Sequence, residues 1–169
     1  TDTGVLLPKE AQMAIAEGKR ALDFELQGVD GKPVGLSDFA GHNVILYFYP
    51  RDNTPGCTKE ACGFRDLKDD LDARDAIVVG VSPDSAESHQ KFVDDHNLPF
   101  TLLSDPDRTV MSNYGAFGEK KMYGKVTQGV IRSTVWIGPD GTVKKHWKRV
   151  GKAADHPKKV LAALEQGAQ

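Results

Sequence analysis

The sequence predicts an α/β fold with a mixed β-sheet and helices on both of its faces. Between residues 43 and 114, apolar runs of strand length alternate with segments of helical periodicity, which is typical of parallel strands joined by helices. A β-hairpin pattern lies on each side of this region and adds antiparallel strands. With 169 residues, the chain has the length of about one domain.

The first elements are a helix, a hairpin and a buried strand. Pro8–Arg20 has a weak helical pattern, and Pro8 suits a first helical turn. Short strands at Phe24–Leu26 and Val34–Leu36 flank a turn around Asp30-Gly31. Asn43–Tyr49 is almost entirely apolar, which predicts a strand buried on both faces of the sheet.

A helix is predicted after this strand and the loop Pro50–Thr54. Thr54 suits the N-cap position, and Pro55 suits the first helical position. Apolar residues then recur at spacings of three, three and four, which places them on one helical face; they are Ala61, Phe64, Leu67 and Leu71.

The remaining elements complete the alternation. The predicted strands are Ala76–Ser82, Phe100–Leu103, Val130–Ile137 and Thr142–Lys148, and the predicted helices are residues 84–96, Asp105–Tyr114 and Pro157–Gln166. Asp84 and Glu87 resemble a capping box, whereas residues 115–129, with four glycines, indicate a loop. A mixed sheet in this order is thioredoxin-like. We expect one domain over residues 18–169, preceded by an extension over residues 1–17.

Composition excludes several classes of function. The net charge of −2 argues against a strongly basic nucleic-acid surface, and no apolar run is long enough to span a membrane. Two cysteines and no secretory-signal pattern indicate the reducing cytoplasm. None of the five histidines has the spacing from the cysteines that a metal site requires. We therefore expect these histidines at the surface, and we expect neither a metal nor a cofactor. The histidines are His42, His89, His96, His146 and His156.

The two cysteines carry the strongest chemical signal. Cys57 is predicted in the first turn of a helix that follows a buried strand. The free N–H groups and the positive end of the dipole at a helix N-terminus favour a thiolate there. Gly56 leaves space beside the sulfur for a small oxidant, and Thr54 offers a nearby hydroxyl.

The spacing of Cys57 and Cys62 predicts a conformational switch. Five residues of intact α-helix separate two Cα atoms by ~8.7 Å, whereas a disulfide usually needs ~6.8 Å or less. A bond between these cysteines therefore requires the helix to unwind. A structural staple is the alternative, but closing so short a loop gains only roughly 2 kcal/mol and breaks the helix. Two unrelated buried thiols are a further alternative.

These residues resemble the peroxiredoxins. Pro50-x-x-x-Thr54-x-x-Cys57 matches the active-site motif of that family, and the string from Tyr47 to Cys62 is similar to the peroxiredoxin Q branch, also called bacterioferritin comigratory protein. The resemblance extends from about Gly18 to the C-terminal helix. It includes Leu36-Ser37-Asp38-Phe39, Gly80-Val81-Ser82, Leu98-Pro99-Phe100, Leu103-Ser104-Asp105 and Ile131-Arg132-Ser133-Thr134.

The resemblance implies a role for each site residue. Cys57 is the peroxidatic cysteine, and Cys62 is the resolving cysteine. Thr54 holds and polarises the peroxide, while Pro50 shields the sulfur from water. Two further residues act on charge: Arg132 stabilises the thiolate and the developing charge, and Glu60 orients Arg132.

The resemblance also implies the reaction. Cys57 reduces hydrogen peroxide and organic hydroperoxides to water and alcohols and becomes a sulfenic acid. Cys62 condenses with that acid, and thioredoxin or a related dithiol protein reduces the disulfide. A monomer fits this branch.

Two other functions remain open at this point. A thioredoxin-like disulfide reductase usually carries C-x-x-C at the helix start, whereas four residues separate the cysteines here. A redox-responsive binding or holdase module could use the same cysteine switch without turnover. Hydroperoxide-dependent turnover distinguishes the peroxidase from both alternatives.

Overall fold

The computed structural model describes residues 16–122 and 124–167. The strands are β1 (Glu25–Gly28), β2 (Pro33–Gly35), β3 (Asn43–Phe48), β4 (Ala76–Ser82), β5 (Thr101–Ser104), β6 (Phe117–Met122), β7 (Lys125–Val130), β8 (Ser133–Ile137) and β9 (Val143–Trp147). The helices are α1 (Pro55–Asp66), α2 (Lys68–Ala73), α3 (Ala86–His96), α4 (Thr109–Asn113) and α5 (His156–Gly167), and a 3₁₀ helix covers Leu36–Phe39.

The main sheet has seven strands in the order β2-β1-β5-β4-β3-β8-β9. Strands β3, β4 and β5 pair in parallel, and antiparallel strands flank them on both sides. This arrangement confirms the predicted mixed sheet of a thioredoxin-like fold with an N-terminal hairpin.

Strand β3 lies at the centre of the core. Ile45 and Tyr47 pack into the cluster formed with α1, α3 and α5, while Leu46 and Phe48 pack into the opposite cluster formed with α4. All four side chains are 0% exposed. Because successive side chains of a strand point to opposite faces, the apolar run was a sound indication of a strand covered on both sides.

The predicted loop over residues 115–129 is wrong. β6 and β7 form an antiparallel hairpin in which Met122 pairs with Lys125, so the connection has two residues. Gly124 in that connection has a φ of 78°, the positive value that tight hairpin turns favour. β7 is mostly exposed, so it lacks the apolar alternation by which strands are recognised.

Several element boundaries also differ from the prediction. Leu67 separates α1 from α2, because acidic residues follow it and favour the first turn of a new helix. Ser85, not Asp84, caps α3 by accepting from the Ser88 N–H at 3.1 Å. Arg108 has a φ of 62°, which is not helical, so α4 begins at Thr109 and not at the predicted Asp105.

The predicted helix Pro8–Arg20 lies largely outside the described residues. Its last five positions, residues 16–20, form a turn and a bridge between Arg20 and Thr142 rather than a helix. No helix in the part of the chain that the structure describes has the length and apolar character needed to cross a membrane.

Candidate active site

The sheet brings two distant segments together at one end of β3. Phe48, the last residue of β3, pairs with Ser133, the first residue of β8. The loop to α1 leaves β3 at this point, and Arg132 immediately precedes β8. The predicted strand Val130–Ile137 is interrupted here, since β7 ends at Val130, and the interruption lets the Arg132 side chain reach α1.

Cys57 lies in the first turn of α1, as predicted. The first helical hydrogen bond runs from the Thr58 N–H to the Thr54 carbonyl at 2.8 Å. The Cys57 N–H therefore belongs to the first turn, whose N–H groups have no helical acceptor. The residue is 1% exposed, so its sulfur lies at the positive end of the helix dipole and is shielded from water.

Arg132 supplies a full positive charge to this sulfur. Its Nη2 atom lies 3.2 Å from Cys57 Sγ, although the residues are 75 positions apart in the chain. A charged donor at this distance stabilises a thiolate more than a neutral donor does. The resulting site combines a helix N-terminus and a guanidinium around one sulfur.

Gly56 makes room for Arg132 rather than for an oxidant. A Cβ atom at this position would lie 3.3 Å from Arg132 Nη2. This space was predicted to be open for a small molecule, but the guanidinium group occupies it. A larger residue would therefore crowd the guanidinium group, so the glycine favours the close approach of Arg132 to Cys57.

Glu60 holds the other side of the same guanidinium. Its Oε1 accepts from Arg132 Nη1 at 2.7 Å, and the carboxyl group is fully buried while Arg132 is 18% exposed. Burial raises the pKa of Glu60 to about 7, against the lowering effect of Arg132. Burial lowers the pKa of Arg132, but the charges of Glu60 and Cys57 outweigh burial and raise it overall.

The pKa of Glu60 makes stability depend on pH. Between its usual pKa of 4.5 and the folded value of about 7, the folded protein holds a proton that the unfolded chain has released. Raising the pH through this range therefore destabilises the fold, by at most about 3 kcal/mol. In Glu60→Gln this contribution is absent, so the variant gains stability relative to the wild type as the pH rises.

Denaturant unfolding at pH 5 and pH 7.5 measures this effect. The matched control is Glu87→Gln on the exposed surface of α3, which we expect to follow the wild type. An equal pH dependence in the wild type and Glu60→Gln would contradict the prediction.

Thr54 and Pro50 lie at the two ends of the loop between β3 and α1. Thr54 is the N-cap residue of α1, but its side chain does not cap the helix; its hydroxyl donates to the Arg51 carbonyl at 2.9 Å. Pro50 is half-buried and borders a cleft of about 470 Å³ that the β6–β7 hairpin also lines.

Cys62 lies on the same helix as Cys57. Both cysteines are free thiols, and Cys62 is partly exposed. It lines a cleft of about 350 Å³ between α1 and α5. Cys57 and Cys62 therefore lie on one intact helix, the state in which their spacing is predicted to prevent a disulfide.

Two histidines expected at the surface are buried. His89 is 0% exposed and His156 is 2% exposed. His156 contacts Thr134 Oγ1 at 2.7 Å, and burial, followed by the charges of Lys159 and Arg132, lowers its pKa to about 4. Their polar partners lie far along the chain, so sequence spacing could not indicate this burial.

Tyr47 was also missed as a neighbour of the site. Among the described residues, its buried hydroxyl has no hydrogen-bond partner, and neither has Glu60 Oε2. Burial, with the nearby charges of Glu60 and Cys57, raises its pKa well above the ordinary value. The sequence contains one indication of this position, since Tyr47 lies within the apolar run Asn43–Tyr49. A hydroxyl buried in such a run normally needs a hydrogen-bond partner.

A thioredoxin-like sheet that presents one buried cysteine at a helix N-terminus, beneath an arginine, defines a class of thiol-dependent enzymes. Comparison with known proteins specifies the class further. Residues 18–146 match the AhpC/TSA family. Peroxiredoxin Bcp of Bacillus subtilis is 45% identical over 153 residues, which cover 90% of this chain and 97% of the relative.

Solved structures agree with this assignment. The bacterioferritin comigratory protein of Xanthomonas campestris, studied for its alkyl peroxide reduction activity, is 39% identical with a TM-score of 0.81, covering 86% of this chain and 92% of that one. A cysteine-to-serine mutant of Xylella fastidiosa PrxQ is 33% identical with a TM-score of 0.84, covering 92% and 98%. The chain belongs to the AhpC/TSA family, in its Bcp/PrxQ peroxiredoxin branch, and is a thiol-dependent peroxidase.

Proposed function

We propose that this protein reduces hydrogen peroxide and organic hydroperoxides, including alkyl hydroperoxides, through Cys57. The contact of 3.2 Å between Arg132 Nη2 and Cys57 Sγ carries the proposal. A thiolate at a helix N-terminus beneath a guanidinium is a strong nucleophile held among donors that stabilise charge as it moves. The alkyl peroxide activity of the similar Xanthomonas campestris protein supports the substrate class.

The first step oxidises the sulfur. The Cys57 thiolate attacks the terminal oxygen of the hydroperoxide, so that an S–O bond forms and the O–O bond breaks. The products are a Cys57 sulfenic acid and a hydroxide or alkoxide, which takes up a proton to give water or alcohol. Arg132 stabilises the thiolate before attack and the negative charge that moves onto the departing oxygen.

Thr54 and Pro50 complete the substrate site in this proposal. Because the Thr54 hydroxyl donates to a carbonyl, its oxygen remains free to accept the O–H of a bound hydroperoxide. Pro50 covers the approach to the sulfur and limits the access of water. Glu60 fixes the orientation of the arginine through the contact of 2.7 Å.

The second step requires α1 to open. Cys62 attacks the sulfenic sulfur, and the condensation forms the Cys57–Cys62 disulfide and releases water. A Cβ atom at Gly63 would lie 2.7 Å from Pro157 Cγ, so α1 and α5 are closely packed there. We infer that the unwinding is confined to the turns before Gly63, where both cysteines lie.

An external dithiol protein then reduces the disulfide, and we propose thioredoxin for this step. Unwinding exposes the bond, as thiol–disulfide exchange with a protein requires. We further propose a monomer acting in the cytoplasm, with one catalytic domain over residues 18–169 after an extension over residues 1–17.

A coupled assay with Cys62→Ser tests this cycle. With thioredoxin, thioredoxin reductase and NADPH, the wild type should consume NADPH only when a hydroperoxide is present. Cys62→Ser should consume about one equivalent of hydroperoxide and then stop, leaving a sulfenic acid that dimedone traps for mass spectrometry. Sustained turnover of Cys62→Ser would exclude Cys62 as the resolving cysteine, and a wild type inert towards hydroperoxides would exclude the peroxidase.

A further inference from the structure

A buried polar network lies directly behind the loop between β3 and α1. Asp52, in the middle of this loop, is 7% exposed, and His89 of α3 is 0% exposed. His89 Nδ1 lies 2.7 Å from Asp52 Oδ2, and the same oxygen accepts from Ser88 Oγ at 2.8 Å. The other carboxylate oxygen accepts from the Tyr49 hydroxyl at 2.5 Å. The reaction proposed above uses none of these groups.

The hydrogen-bond partners of His89 determine where its protons lie. His89 Nε2 lies 2.9 Å from the Leu103 carbonyl, which only accepts, so Nε2 carries a proton. A single further proton lies between Nδ1 and Asp52. His89 therefore bridges the loop to the carboxyl end of β5 through both ring nitrogens, and such a bridge permits one orientation of the imidazole.

The network continues into the backbone that holds Thr54. The Asp52 N–H donates to Asp84 Oδ2 at 2.6 Å. The carbonyl of the same peptide unit, that of Arg51, accepts from the Thr54 hydroxyl at 2.9 Å. Because a peptide unit is planar, fixing its N–H end and the adjacent Asp52 side chain also fixes the oxygen that orients Thr54.

We propose that Asp52 and His89 are positioning residues for the peroxidase reaction, which hold the Arg51–Asp52 peptide so that the Thr54 oxygen faces the hydroperoxide at Cys57. The proposal rests on the proposed function, in which Thr54 binds the substrate. Neither residue touches the reacting atoms. Their effect reaches the substrate through one peptide unit, and it is independent of the charge that Arg132 supplies to the sulfur.

Two substitutions of His89 separate its two hydrogen bonds. The amide nitrogen of asparagine can take the place of Nδ1 and donate to Asp52, whereas that of glutamine can take the place of Nε2 and donate to Leu103. Each variant thus loses one bond and keeps the other. Ser88→Ala removes a single contact with Asp52 at a half-buried position and leaves the imidazole in place.

The experiment compares two reactions of the Cys57 thiol. The first is the second-order oxidation by hydrogen peroxide or tert-butyl hydroperoxide, which requires the Thr54 oxygen. The second is alkylation of Cys57 by iodoacetamide, located by mass spectrometry, which depends on the thiolate and on access to it but not on the Thr54 oxygen. His89→Gln should slow oxidation by roughly ten- to a hundredfold, since a displaced substrate-binding group has effects of this size, while His89→Asn stays near the wild type. Alkylation should be unchanged in both.

The control is His42→Gln, since His42 contacts Asp75 at the same distance of 2.7 Å on the exposed surface. Equal losses of oxidation in the two His89 variants, or parallel losses of oxidation and alkylation, would overturn the positioning role. If the His89 variants do not fold, Asp52→Asn decides, because it has the same size but cannot keep both the His89 and the Tyr49 contacts of the carboxylate: slower oxidation at unchanged alkylation supports the proposal, and unchanged oxidation overturns it. Ser88→Ala, which keeps the His89 contact, should stay near the wild type. A wild type that does not react with hydroperoxides overturns the proposed function itself.

Discussion

Replacing the sulfur of Cys57 should abolish hydroperoxide turnover. We expect Cys57→Ser to lose at least ~10³-fold in the second-order rate constant, because loss of the nucleophile removes the reaction rather than slowing it. A serine hydroxyl stays protonated and offers no low-energy route to an oxidised state. The measurement is the initial rate of hydrogen peroxide consumption at several substrate concentrations, with enzyme and reductant present.

The fold should survive this substitution. Serine is nearly isosteric with cysteine, and its oxygen can still accept from Arg132, which lies 3.2 Å from the sulfur in the wild type. We therefore expect a folded variant with an unchanged circular dichroism spectrum. The control is Cys62→Ser, which should retain the first oxidation step. Residual turnover of Cys57→Ser above the uncatalysed rate would show that another group is the nucleophile.

Local patterns in the sequence were sufficient to predict the strand and the helix that carry the site. The apolar run of β3, the Thr54-Pro55 start of α1 and the position of Cys57 depend on neighbouring residues only. Such features follow from strand periodicity and helix capping, so they can be recognised without knowledge of the fold. Cys57 and Arg132 lie 75 positions apart, and their contact depends on the pairing of β3 with β8, so only the family resemblance indicated it.

The parts that were missed lack a local signal. Four positions of β7 are exposed and show no alternation of polar and apolar residues, so the hairpin was interpreted as a loop. His89 is buried because its Nδ1 atom shares a hydrogen bond with Asp52, which lies 37 positions earlier in the chain. Histidine has no strong intrinsic preference for a buried or an exposed position, because its burial is tolerated only where a hydrogen-bond partner is present. The sequence around His89 therefore does not indicate its burial.

We expect the pair formed by Glu60 and Arg132 to connect the stability of the fold with the rate of the proposed reaction. Arg132 donates both to a buried carboxyl group and to Cys57 Sγ. A buried carboxylate is costly without its partner, whereas a thiolate without a charged donor is merely less populated and less reactive. Removing Arg132 should therefore lower both the stability of the fold and the rate of oxidation of Cys57, and the two effects should be separable.

We expect Arg132→Met to lower the rate constant for hydroperoxide by about 10²–10³-fold, the usual consequence of removing one donor that stabilises developing charge. The same substitution should destabilise the fold by roughly 1 kcal/mol at pH 7.5, because Glu60 loses its partner in a fully buried position and must then stay protonated where the wild-type group, with a pKa of about 7, is largely ionised. At pH 5 the loss should be smaller, since the pKa of Glu60 is already raised to about 7 and its carboxyl group is protonated there.

The double variant Arg132→Met with Glu60→Gln distinguishes the two effects. A neutral amide at position 60 needs no cation, so most of the lost stability should return, as measured by denaturant unfolding at pH 7.5. The rate of oxidation should stay as low as in Arg132→Met, because nothing replaces the donor at Cys57 Sγ. Recovery of the rate together with stability would mean that Arg132 supports the fold alone. A slow but stable double variant would mean that its charge acts directly on the sulfur.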